Sequence, residues 1–142
     1  MDHEKLPILK TAKEAILPTR AYADDAGLDL YNLEEFTLPA GEGTVARTGI
    51  ALALPSGHVG IITDRSSMAK RGLKTAGGII DAGYRGEIRI LLWNLSREPQ
   101  VLTAGERIAQ LLVVPIRTPL PFEVEQLQET PRGERGFGSS GR

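Results

Sequence analysis

The 142-residue chain contains no cysteine, which excludes disulfides, thiolate nucleophiles, iron–sulfur clusters and cysteine-built zinc sites together. Its two histidines, His3 and His58, are too few for a multi-histidine metal centre. Apolar runs stay far short of the ~20 residues of a membrane-spanning helix. The opening Met1-Asp-His-Glu-Lys5 does not read as a signal peptide, so a soluble, cytoplasmic protein is expected. Charge of either sign is scarce in excess: the net is −1, and no whole-molecule field points to nucleic acid or an anionic membrane. The basic residues are nevertheless uneven in kind, twelve of the 17 being arginine. Arginine grips phosphate and carboxylate with a planar fork, so any anion site is expected to be local and arginine-built.

What the sequence has in quantity is punctuation. The 16 glycines and nine prolines separate short apolar stretches. Leu28–Leu33, Thr44–Leu54, His58–Thr63, Glu87–Leu95, Arg107–Ile116 and Phe122–Leu127 each read as strands. Asp25-Ala-Gly27, Pro39-Ala-Gly41, Pro55-Ser-Gly57, Gly77-Gly78 and Ala104-Gly105 supply turns between them. Strands and turns at this spacing predict a single all-β domain, a sandwich, barrel or jelly roll. Val45, Ile50, Leu52 and Leu54 alternate as in one half-buried strand, whereas Leu91-Leu92-Trp93 and Leu111–Val114 are continuous and should be covered on both faces. Ser66–Arg71, opening on capping hydroxyls and stopping at Gly72, predicts one very short helix. Leu38-Pro-Ala-Gly-Glu42 and Leu102-Thr-Ala-Gly-Glu106 are similar, which shared turn chemistry explains better than duplication. Residues 1–129 are thus read as the domain and 130–142 as a flexible Gly-rich tail with too little apolar content to bury anything by itself.

Five segments could carry chemistry. In Asp64-Arg-Ser-Ser-Met68, a guanidinium (Arg65) and two hydroxyls (Ser66, Ser67) stand at a strand-to-helix junction, a set suited to one anion or to a plain helix cap. In Gly77-Gly-Ile-Ile-Asp-Ala-Gly-Tyr-Arg-Gly86, glycine turns flank Ile79-Ile80-Asp81. There Gly78 permits close approach of a flat ligand to the backbone, Asp81 could orient a water, and Tyr84 could stack on a sugar or base. Asp29 lies between Leu28 and Leu30 and so points off the face those two bury, as a solvated carboxylate or one that meets a metal through water. Gln110 runs into an apolar stretch, where its amide needs backbone or ligand partners. In the tail, Arg132, Phe137, Gly138, Ser139 and Ser140 combine charge, an aromatic without a core, and freely oriented amides and hydroxyls. That mixture suits a closing segment that stacks on a base and takes phosphates, or a solvated end. It is not a Walker A loop, since no lysine follows.

Taken in order, Ala26-Gly-Leu-Asp-Leu30, Arg65-Ser-Ser67, Gly78-Ile-Ile-Asp-Ala-Gly-Tyr-Arg-Gly86, Gly105-Glu-Arg-Ile-Ala-Gln110 and Arg132-Gly…Gly136-Phe-Gly-Ser-Ser140 resemble the five motifs of the trimeric dUTPase family, and they span nearly the whole chain. The resemblance implies a homotrimer with active sites shared between subunits and hydrolysis of dUTP to dUMP and pyrophosphate. In that family Asp81 would position the attacking water, and Arg65, Ser66, Ser67 and Gln110 would hold the triphosphate. The hairpin at Gly78, Ile79 and Ile80 would read uracil, and Tyr84 would pack on the deoxyribose. Arg132, Gly138, Ser139 and Ser140 would close over the phosphates while Phe137 stacks on the base. Mg²⁺ would ride on the phosphates, with Asp29 reaching it through water. Arg135 stands where many members carry glycine, Gly83 where many carry a second acid, and Ser67 where glycine is frequent. The related dCTP deaminase family resembles the chain around Arg65-Ser-Ser67, but its catalytic glutamate would fall at Leu91. A non-catalytic nucleotide-binding β-sandwich would have no use for Asp81 aimed at a water.

Overall fold

The structure, a computed structural model, describes residues 4–138. Strands are short because glycines and prolines interrupt every apolar run. In chain order they are β1 (Ile8–Lys10), β2 (Leu28–Tyr31), β3 (Phe36–Leu38), β4 (Gly43–Arg47), β5 (Ile50–Leu52) and β6 (His58–Thr63), then the helix α1 (Ser66–Lys70). There follow β7 (Leu73–Thr75), β8 (Ile79–Ile80), β9 (Arg89–Asn94), β10 (Gln100–Leu102) and β11 (Arg107–Pro115). All pairings are antiparallel, in sheets ordered β2-β11-β6-β8, β4-β9-β7, β1-β5 and β10-β3. This is the expected all-β jelly roll with one very short helix.

The expected strand Thr44–Leu54 is in fact two strands in two sheets. Gly49, at φ +70°, turns the chain between β4 and β5, and a Cβ there would stand 2.9 Å from that of Ala15. Single-strand alternation therefore fails: Ile50, Ala51 and Leu52 are all buried while Val45 is exposed. No strand forms over Phe122–Leu127; the chain past β11 makes no ladder among the described residues, and Leu120, Phe122 and Leu127 are exposed. The helix N-cap is Arg65 rather than a serine, with no side-chain cap bond.

Leu30, Leu38, Ile50, Leu73, Ile88, Ile90, Leu92, Leu102, Ile108 and Leu111 fill the core. Burying such a side chain stabilises by about 2 kcal/mol, more than any exposed ion pair here supplies. Asn94, wholly buried, donates to the Leu38 and Glu98 carbonyls and accepts from the Ser96 N–H, so it ties the end of β3 to the β9–β10 loop without an unpaired group. On β9 only one face is covered. Ile90 and Leu92 point inward, while Leu91 and Trp93 are about half exposed beside their cross-strand neighbours Val45 and Gly43. The apolar run Leu91–Trp93 is thus not covered on both faces within one chain.

Candidate functional site

Register builds the first half of the site. Asp29 on β2 faces Gln110 on β11, and Gln110 faces Thr63 on β6, so the three stand in one row across the sheet. Their neighbours Leu30, Ala109, Leu111 and Ile62 are buried, which puts the row on the face away from the core. Just past Thr63 the chain leaves the sheet through Asp64 and Arg65. The Arg65 guanidinium folds back over the row, with Nε 3.2 Å from Asp29 Oδ1 and Nη1 donating to Ser67 Oγ at 3.1 Å and to the Arg107 carbonyl at 3.2 Å. Arg107 Nη1 lies 3.5 Å from the other Asp29 oxygen. Asp29 is therefore an ion-paired carboxylate rather than a solvated one.

Two guanidinium groups around one carboxylate leave the cluster net positive. Ser67 accepts from Arg65, so its own proton is free to donate outward. Gln110 donates through Nε2 to the Asp64 carbonyl at 2.8 Å, which supplies a backbone partner for its amide. Its side chain lies where a Cβ on Gly27 would sit, 2.0 Å from Gln110 Oε1. Gly27 and Asp64 are thus members of this cluster that the residue types alone did not single out. The signal for Gly27 was its place two residues before Asp29.

The second half is the hairpin after β7. β8 pairs on β6 with Ile80 opposite Gly60 and Ile79 opposite Ile61, and the Gly78 carbonyl accepts from Ile62 N–H at 2.9 Å. Asp81 is exposed, and its carbonyl accepts the Tyr84 N–H at 3.1 Å, closing the turn. The Tyr84 hydroxyl donates to the Glu87 carbonyl at 2.8 Å, with the ring over Gly86. Ile79, Ile80, Asp81, Tyr84, Glu87 and Arg89 line a shallow depression. Its base is pinned to the β4–β5 turn: Glu87 accepts from Arg47 Nε and Nη2 and from the Gly49 N–H, and Thr48 Oγ1 donates to the Ile88 carbonyl. The hydrogen bond from Arg47 outweighs burial and holds the Glu87 carboxyl below the usual carboxylate range, with the Gly49 N–H and the Arg47 and Arg89 charges assisting.

The two halves do not meet in one chain. Ile80 is displaced from Gln110 by two strands across and three residues along β6. At about 4.8 Å per strand and 3.3 Å per residue this is roughly 14 Å, and Asp81 lies beyond it. In the tail, Arg132 Nε donates to the Arg135 carbonyl at 2.7 Å and Arg135 Nε to the Arg132 carbonyl at 3.1 Å, a closed local turn. Phe137 and Gly138 are exposed, while Ser139 and Ser140 lie outside the described residues. Among the described residues no three His, Asp or Glu side chains gather into a metal site. A hard cation that keeps its waters and rides on phosphates fits that donor set, since Asp29 retains lone pairs for a water beside its two arginines.

A family profile described as dUTPase matches residues 13–141. The deoxyuridine 5'-triphosphate nucleotidohydrolase of Corynebacterium glutamicum is 42% identical over 145 residues, covering 99% of this chain and 97% of that one. Its counterpart in Corynebacterium jeikeium is 48% identical over 143 residues, covering 96% and 92%. Among solved structures, a Staphylococcus bacteriophage 80alpha dUTPase variant with dUpNHpp superposes with a TM-score of 0.89 at 32% identity, covering 99% of this chain and all of that one. A phage phi11 dUTPase described with a structural Mg(II) ion superposes at 0.84 with 27% identity, covering 89% of this chain and all of that one. The antiparallel jelly roll is the architecture of these dUTPase structures. The chain belongs to the dUTPase family.

Proposed function

We propose that the protein hydrolyses dUTP to dUMP and pyrophosphate, limiting uracil incorporation into DNA and supplying dUMP for dTMP synthesis. In this reading it works as a cytoplasmic homotrimer whose sites are shared between subunits. The observation that carries it is the separation of the Arg65–Asp29–Gln110 cluster from the Asp81 hairpin by roughly 14 Å within one chain. A reaction needing both must recruit one half from a second copy. The half-exposed Val45, Leu91 and Trp93 supply an apolar face for such an assembly. No helix among the described residues is long and apolar enough to cross a membrane.

Each residue then has a task that its environment supports. Arg65 presents a fixed fork to the phosphates because Asp29 and the Arg107 carbonyl hold it, and Ser66 and Ser67 donate hydroxyl protons beside it. Gln110 adds its amide. The main chain of Gly78, Ile79 and Ile80 reads the uracil edge, where cytosine would present a donor in place of an acceptor. Tyr84, fixed by the Glu87 carbonyl, packs on the deoxyribose and leaves no room for a 2′-hydroxyl. Asp81 orients the water that attacks the α-phosphorus, and pyrophosphate leaves from the opposite side. Arg132, Phe137, Gly138, Ser139 and Ser140 close over the nucleotide as the 130–142 tail of a neighbouring copy, the residues 1–129 forming the domain. Mg²⁺, when bound, neutralises triphosphate charge, with Asp29 as its outer partner.

The test is pyrophosphate release by the purified protein with Mg²⁺ on dUTP, dCTP, dTTP and UTP, alongside sedimentation. Release from dUTP alone, by a species of three times 15.4 kDa, is expected. Ammonia release from dCTP would instead revive the deaminase reading, and binding without turnover the non-catalytic one.

A further inference from the structure

Asp64 has no task in that mechanism, yet it is the most heavily fastened residue beside the anion cluster. Its Oδ1 accepts from the Thr75 N–H and the Thr75 hydroxyl, both at 2.7 Å, and Oδ2 accepts from Lys74 Nζ at 2.6 Å. Its main-chain carbonyl accepts the Gln110 amide, and its peptide bond continues into Arg65. Burial disfavours the charged carboxylate, but the bonds from Lys74 and Thr75 overcome this and hold the group below its ordinary value.

Some such fastening is needed. At this point the chain leaves β6 and enters a five-residue helix whose N-cap, Arg65, makes no side-chain cap bond. One turn of helix does not hold its own direction, because nucleation costs more than a single turn returns. The direction in which Arg65, Ser66 and Ser67 leave the sheet must come from outside the helix. Asp64 is bonded to β7 on one side and, through its carbonyl, to Gln110 on the other.

We propose that Asp64 is a positioning residue for the triphosphate: by fastening the end of β6 to β7 it sets where the Arg65–Ser67 junction and the Gln110 amide stand. The inference rests on the dUTP reading above. Thr75, at 4% exposure, supplies the fastening, whereas Lys74 is open to water and its ion pair is screened.

The test uses the full chain and dUpNHpp and dUMP as ligands, with calorimetric affinity, KM and kcat for dUTP, and melting temperature read together. Asp64→Ala is expected to weaken dUpNHpp about tenfold or more and dUMP by less than about threefold, with KM rising more than kcat falls. Asp64→Asn keeps an oxygen for the Thr75 donors and should return dUpNHpp affinity to within about threefold of wild type. Thr75→Val, which removes the hydroxyl at constant volume, should act in the same direction by about threefold and serves if the alanine variant does not fold. A variant series that lowers melting temperature but leaves dUpNHpp affinity at the wild-type value overturns the proposal. Failure of the dUTP reading itself would show earlier and separately, as wild-type protein that neither binds dUpNHpp nor releases pyrophosphate from dUTP.

Discussion

The anion cluster and the Asp81 hairpin are built in opposite ways. Around Arg65 the guanidinium is tied through Nε and Nη1 to Asp29, Ser67 and the Arg107 carbonyl, and Gln110 is tied to the Asp64 carbonyl. Around Asp81 the base is tied through Glu87 and Ile88 and the Tyr84 hydroxyl to the Glu87 carbonyl, while the Asp81 carboxylate and the Ile79 side chain are exposed along the depression. A group that must present a fixed charge to phosphate gains from preorganisation, since ordering it at binding would cost affinity. A group that must meet a ligand held by another copy gains from exposure. The tail carries this further, with its hydrogen bonds among the described residues confined to itself.

The contrast is broken most severely at Asp81. Asp81→Asn should lower dUTP turnover about a thousandfold, while dUpNHpp affinity stays near wild type; near-normal turnover would remove Asp81 from the reaction. A chain ending after Glu134 should remain a folded trimer and lose about a hundredfold in turnover. An unchanged rate would make residues past Glu134 dispensable. On the preorganised side, Gly27→Ala places a Cβ on the Gln110 side chain and should weaken dUpNHpp about tenfold by displacing the amide. Unaltered affinity would show that Gln110 does not reach the ligand.

The smallest effect belongs to the hairpin base. Because Glu87 titrates lower in the fold than unfolded, its stabilising contribution is present above the unfolded-state value. That contribution is lost as pH falls through the depressed one. Glu87→Gln should therefore lower the melting temperature by about 3 °C at pH 7. Its curve should converge with wild type in acid, and a difference independent of pH would place the effect in packing instead.

The sequence made some of this plain and hid the rest for identifiable reasons. β6 runs over His58–Thr63 and β11 over Arg107–Pro115, close to their expected bounds, because their apolar content is long and cleanly bounded by turns. β1, β3, β7 and β10, three residues each, are too short for alternation to register. The break at Gly49 was masked because Val45 and Ala46 before it and Ile50–Leu52 after it read as one stretch, and a positive φ leaves no trace except the glycine itself. Phe122–Leu127 has strand composition but no ladder partner among the described residues, and a strand without a ladder does not form. Asp29 was readable as facing off the core, but not as paired with Arg65, which is 36 positions away in sequence and joined to it only by the register of three strands.

The distance between the two halves also has a genetic consequence. If each working site takes Arg65 from one subunit and Asp81 from the next around a ring, then two inert chains, one altered at each position, can repair one another. Around any mixed trimer there is one junction at which an intact Arg65 meets an intact Asp81. Random assembly of equal amounts therefore returns about one quarter of wild-type activity from two dead parents. A cell carrying both alleles would regain an activity that neither allele supplies alone.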